Sequence, residues 1–143
     1  MNKSIRHSLG FSLIEVMIVV LILGILATVA YPSYSESVRQ SRRVDGMNNL
    51  LRYQIMQEQY RARNPGYATN FTALLGSGGA TINSSEGYYS LSIVTTAATI
   101  GSQFEIHAAP IGTQSTDTCN TFVVDQSGPD YTSPNANARC WNQ

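Results

Sequence analysis

From Phe11 to Tyr31 the chain runs through 21 residues with a single charge, Glu15, and Val, Ile and Leu fall on every face of a helix. Such a helix is about 30 Å long, the thickness of a bilayer's hydrocarbon core. From Glu36 to about Arg63 the pattern becomes amphipathic: Val44, Met47, Leu51 and Ile55 recur at spacings of three and four, flanked by Leu50 and Met56. Asn64-Pro65-Gly66 ends it. A continuous helix from Phe11 to Arg63 would measure about 80 Å, so half of it must enter a membrane or other copies of the chain. Residues 64–87 read as loop, with Ser77-Gly78-Gly79 and Asn83-Ser84-Ser85 as breakers. Alternation then predicts strands at Tyr88–Val94 (Tyr89, Leu91 and Ile93 on one face), Phe104–Ala108 (Phe104, Ile106 and Ala108 on one face) and Thr121–Val124, the last ending in the turn Asp125–Gly128. One long helix on an antiparallel sheet is an α+β arrangement. The expected segments are 1–10, 11–34, 35–63 and 64–143.

Charge changes the picture by its distribution. The 143 residues are neutral overall, but residues 36–63 hold six arginines against three acids, and residues 64–143 hold five acids against Arg139 alone. No lysine follows Lys3. An acidic C-terminal region is poorly suited to neutralising phosphates. Lys3, Arg6 and His7, with no acid among the first ten residues, would hold the N-terminus in the cytoplasm and place the rest outside it. The two cysteines, Cys119 and Cys140, lie in a Ser-, Thr- and Asn-rich segment downstream of that apolar run. An even count there favours a disulfide in an oxidising compartment over two free thiols.

Three readings compete for the apolar run: a signal peptide cut after Thr28-Val29-Ala30, a plain signal anchor, or a leader cut after Gly10. The first two leave Glu15 unexplained, because an ionised carboxylate inside lipid costs about 2–3 kcal/mol or more. The third gives Phe11 a free α-amine, and Glu15 then has a cation to pair with on a neighbouring subunit. Gly10-Phe11-Ser12-Leu13-Ile14-Glu15, followed by an unbroken apolar helix, closely resembles the N-terminal signature of type IV pilins. The resemblance implies that a prepilin peptidase removes the basic leader 1–10 after Gly10, that the new N-terminal Phe11 is methylated, and that Glu15 serves assembly. It also implies that the helix can loosen around Gly24 and Pro32 as subunits pack, an ordinary proline kink being the alternative. The C-terminal part is similar to minor pilins of the PilE type through its Asp-x-x-Gly turn and late Cys140-Trp141; their relatives include the DNA-uptake pilin of competent bacteria.

Arg39, Arg42 and Arg43 share a helix face. Read as a solvated or intersubunit face, they are preferred over a DNA patch, since no aromatic residues interleave with them and no lysine-rich loop follows. His107 is expected to face solvent on its strand. Asp125 and Asp130 are not expected to bind calcium, because hard cations take six or more oxygens at defined spacings. There is no Ser-His-Asp set, zinc spacing or phosphate loop, so no enzyme, metal or cofactor is expected. The resemblance implies a structural subunit, minor in type, of a bacterial type IV pilus, supporting adhesion, twitching motility or DNA uptake. Alternatives are a pilus-borne receptor for DNA or a surface, and a pseudopilin of a type II secretion system. Implied partners are other pilin subunits, the prepilin peptidase, the inner-membrane assembly machinery and the membrane before assembly, with DNA possible but not favoured. The implied location is the inner membrane, then the extracellular pilus (fimbrium).

Overall fold

The structure, a computed structural model, describes residues 10–95, 101–132 and 134–142. Residues 1–9, with Lys3, Arg6 and His7 and most of the expected leader, lie outside the described residues. In chain order the elements are α1 (Leu13–Arg61), α2 (Phe71–Leu75), β1 (Thr81–Asn83), β2 (Tyr89–Val94), β3 (Glu105–Pro110), a 3-10 turn at Gly112–Gln114, β4 (Phe122–Asp125), β5 (Gly128–Asp130) and α3 (Ala138–Trp141). The chain divides into two compact units, 1–37 and 38–143.

In the first unit, α1 starts where the backbone N–H groups of Glu15 and Val16 both donate to the Ser12 carbonyl. Its apolar side chains from Leu13 to Val29 are exposed, as expected of a helix whose solvent is lipid or other helices. Pro32 lies inside the helix, which stays helical through it. Proline has no N–H to give the Thr28 carbonyl one turn back. Hydroxyls of Thr28, Ser35 and Ser37 instead donate to the Ile25, Pro32 and Ser33 carbonyls around it.

The second unit is built on an antiparallel meander in the spatial order β1-β2-β3-β4-β5. The register sets Leu91 opposite Ala108, and Ile106 and Ala108 opposite Val124 and Phe122. Alternation brings these side chains, with Tyr89, to one buried face. The strand predictions hold within a residue or two. Two edge strands lay hidden: β1, in a stretch expected to be loop, and β5, which carries Pro129 at the sheet's edge where no ladder donor is needed. The same stretch holds α2, capped by the Asn70 side chain accepting from the Ala73 N–H and closed by Gly76 at φ 74°.

The helix face differs from expectation. Val44, Leu51 and Ile55 are 42%, 41% and 59% exposed, while Arg43, Asp45, Gly46, Asn49, Leu50, Tyr53 and Gln57 are buried. The sheet supplies most of the core's branched chains, and α1 adds Leu50 and Tyr53 with Met47 and Met56 packed beside them. Its small and polar groups lie close to the sheet and tie down the loops around it. The Gln57 amide donates to the Ala68 carbonyl and accepts from the Ala68 N–H. Gly46 lets the helix rest on Tyr89, whose ring atoms stand 3.0 Å from where a Cβ would be.

That contact gives a test with a definite sign. A glycine-to-alanine change inside a helix ordinarily stabilises by about 1 kcal/mol. Gly46→Ala should instead destabilise a fragment spanning residues 35–143 by about 1–2 kcal/mol, because Tyr89 is fully buried and the overpacked ring has nowhere to go. Urea unfolding midpoints decide the sign.

Candidate assembly site and the polar anchor beside it

The candidate assembly site begins in three non-helical residues, Gly10 to Ser12, that lead into α1. Phe11 is exposed, and Glu15 stands in the helix's first turn, where the macrodipole favours a negative charge. Among the described residues no cation lies within ion-pair distance of the Glu15 carboxylate. A Cβ at Gly24 would meet nothing within 4 Å, so the chain's own packing makes no demand for glycine there.

The second unit redistributes the arginines that sequence placed on one face. Arg43 is 3% exposed and forms a two-pronged pair with Asp117, Nε donating to Oδ2 at 2.7 Å and Nη2 to Oδ1 at 2.6 Å. Asp117 also accepts from the Gln114 amide and the Cys119 N–H. Burial pushes this carboxyl up, but the Arg43 bonds, the Cys119 N–H, the Arg43 charge and Gln114 together hold it below the ordinary carboxylate value. Arg43 is therefore a structural anchor, in place of the solvated or intersubunit role expected of it. Its fourfold-bonded acceptor Asp117 lies 74 positions away, beyond the reach of any local pattern. Beside it, burial first of all pushes the Tyr89 phenol up to about 12, against the Gln114 amide that favours its ionised form.

Arg42 stacks on the Tyr88 ring at 4.6 Å from its centroid and donates to Thr113. Arg61 stacks on Tyr67 at 4.7 Å and donates to the Gly101 carbonyl, and Arg52 lies over Tyr53 at 5.7 Å. Of the three arginines that share a helix face, Arg42 thus does meet an aromatic ring, in space rather than in sequence. A groove of about 570 Å³ runs between α1 and the β1–β2 turn, with Arg42, Asn48, Glu86 and Tyr88 on its walls. Its floor is Asp45, which accepts from Ser84, Asn49 and the Glu86 N–H.

Cys119 and Cys140 are joined, their Cα atoms 5.8 Å apart. The bond ties the start of β4 to α3, whose N-terminus is capped by Asn137. Trp141 then stacks edge-on against Phe122 and Tyr131. His107 is partly exposed and pairs with Glu105 at 3.0 Å on the outer face of β3. Asp125 and Asp130 each accept from their own turns, Asp125 from Ser127 and Gly128, Asp130 from Thr132 and Asn135. Those bonds, the Thr132 hydroxyl's first, hold the Asp130 carboxyl below its usual value. Among the described residues no three potential metal ligands gather.

Two family models match the chain. One, described as the type IV minor pilin ComP, DNA uptake sequence receptor, matches residues 32–123. The other, the prokaryotic N-terminal methylation motif, matches residues 5–31. A solved type IV pilin from Shewanella oneidensis is 26% identical, over 68% of this chain and 96% of its own, with a TM-score of 0.49. No curated protein matches the chain.

The anchor predicts a pH dependence. Asp117 is depressed in the fold, so its stabilisation is complete above about pH 4 and is lost as pH falls through its lowered value. Arg43→Ala should cost the 35–143 fragment about 3–5 kcal/mol at neutral pH, because it strands a buried carboxylate. Asp117→Asn should flatten the acid limb of the stability profile. Denaturant melts between pH 2.5 and 7 check both; an Arg43→Ala loss under 1 kcal/mol would contradict the anchor.

Proposed function

The chain belongs to the family of the type IV minor pilin ComP, and from that premise we propose that it joins a pilus through a charge pair made by Glu15 and acts there in DNA uptake. It is a minor pilin, processed by prepilin peptidase, held in the membrane as a precursor and then part of an extracellular pilus with other pilin subunits. The observation that carries the residue-level reading is Glu15 itself: a carboxylate in an exposed apolar helix, with no ion-pair partner among the described residues.

Hydrolysis of the Gly10–Phe11 bond gives the glycine carboxylate to the departing leader and an amine to Phe11. A methyl group on that amine leaves it basic and charged. In a neighbouring subunit the amine meets Glu15, and the pair removes from hydrocarbon a charge that costs about 2–3 kcal/mol alone. Each subunit offers one acid and one amine four residues apart, so pairing repeats with a stagger and builds a filament. Gly24 and Pro32 serve this step as the places where the helix gives, the first lacking a Cβ and the second lacking an N–H. The inner-membrane assembly machinery supplies the extraction.

The role in DNA uptake is carried from the matched family, a DNA uptake sequence receptor by its description. The charge of unit 38–143 favours participation over tight duplex capture. Its seven arginines face seven acids, and Arg43 is already committed to Asp117. The stacked Arg42–Tyr88 and Arg61–Tyr67 pairs suit loose contact with phosphates and bases. The family match over 32–123 weighs against a secretion pseudopilin.

Glu15→Ala tests the assembly reading. The variant should insert in the membrane at least as well as the native chain, begin at Phe11 after processing, and be absent from sheared pili by immunoblot. Normal incorporation would refute the pairing. For DNA, the 35–143 fragment should bind duplex only weakly and lose that binding between about 50 and 200 mM salt. Sub-micromolar, sequence-preferring binding at physiological salt would overturn the participation reading in favour of a dedicated receptor.

A further inference from the structure

The apolar run ends at two tyrosines. Tyr31 and Tyr34 are 75% and 71% exposed, three positions apart and so on one helix face. Neither phenol hydrogen-bonds to the described residues. Before them the chain is apolar back to Phe11, about 30 Å along a helix. After Tyr31 come Pro32, Ser33, Ser35, Glu36 and Ser37. A tyrosine couples an apolar ring to a polar tip, and is enriched where hydrocarbon meets headgroups.

We propose that Tyr31 and Tyr34 dock in the headgroup boundary of the outer leaflet, and that this contact sets the depth at which the membrane-held subunit carries Glu15. The occupant is a phospholipid interface because the distance matches: with Tyr31 at one boundary, Phe11 falls about 30 Å away at the other. Glu15 then lies about 6 Å inside the hydrocarbon from the cytoplasmic side. Aliphatic residues would leave that depth loose, since a helix can slide or tilt at a cost of only fractions of a kcal/mol per ångström. The two rings remove that freedom, so subunits wait with their carboxylates at one level. The inference rests on the membrane-held precursor of the preceding reading, but not on Glu15 pairing.

Depth is measured on the full chain in vesicles of phosphatidylethanolamine and phosphatidylglycerol. Nitroxide labels are attached singly through Val29→Cys, Ser33→Cys and Ser37→Cys, and their relaxation by oxygen and by a water-soluble nickel chelate is compared. In the native background the boundary should fall between positions 29 and 37. The pair Tyr31→Ala with Tyr34→Ala should move it toward the C-terminus by about 5 Å, one helical turn. Tyr31→Leu with Tyr34→Leu, which keeps insertion strong, should move it likewise, and Tyr31→Trp with Tyr34→Trp should hold it in place. Glu15→Ala should leave it unmoved. An unshifted boundary in the leucine pair, or a boundary that tryptophan fails to restore, overturns the proposal and makes the tyrosines helix-packing residues for neighbouring subunits. Filament assembly does not enter the measurement, so its outcome stands apart from that of the pairing test.

Discussion

A carboxylate inside hydrocarbon keeps its charge cheaply only when a cation is near, and the apolar run that carries Glu15, Phe11 to Tyr31, has no lysine or arginine. That constraint orders the N-terminal third of the chain. It calls for a cation delivered to the membrane edge, and the proposed cut after Gly10 would make one from the backbone at Phe11. It calls for an apolar helix surface open to other helices, and the apolar side chains from Leu13 to Val29 are exposed. A filament formed this way gains hydrophobic burial and charge pairing in one step.

The globular unit solves a different problem. Its sheet is a plain meander with short edges: three residues in β1, and three in β5 with a proline at the centre. Such edges resist strand addition by another chain, so subunits have little scope to join through the sheet. The core is closed instead by α1, whose inward face is largely polar. Arg43, Asp45 and Gln57 each reach a different loop: the 112–119 segment, the β1–β2 turn, and the connection at Ala68. These buried bonds fix where the loops lie, and the stripe of Val44, Leu51 and Ile55 stays exposed on the outer side.

What was legible in the sequence followed from local chemistry. The apolar run, the glycine-phenylalanine-glutamate signature and the strand alternation each lie within a few residues, and the α+β class follows from them. The paired cysteines could be read from compartment and count. The amphipathic pattern of α1 includes Leu50, Met47 and Met56, which do pack on the core, beside Val44, Leu51 and Ile55, which do not, because periodicity marks where apolar residues recur and says nothing of which stripe a second layer covers. Val44, Leu51 and Ile55 form the better hydrophobic pattern, yet Gly46 wins the contact by being small enough to meet Tyr89. The roles of the arginines were invisible for the same reason: Asp117 and Tyr88 reach them only through the tertiary fold. Asn70 and Gly76, by contrast, flank Phe-Thr-Ala-Leu-Leu as a cap and a stop, and that helix was within reach of a closer local reading.

The central claim is that Glu15 is held for the amine of another subunit. Pili assembled by cells shifted from unlabelled to nitrogen-15 medium, so that both kinds of subunit share one membrane pool, can be treated with a zero-length carbodiimide, which joins a carboxylate to an amine only where the two already touch. Pairing between subunits predicts a peptide linking Glu15 to the N-terminal amine of a different subunit, seen as mixed-isotope pairs by mass spectrometry and absent from membranes before assembly. A Glu15 that couples to no terminal amine in intact pili, or only to Phe11 of its own chain, would contradict it.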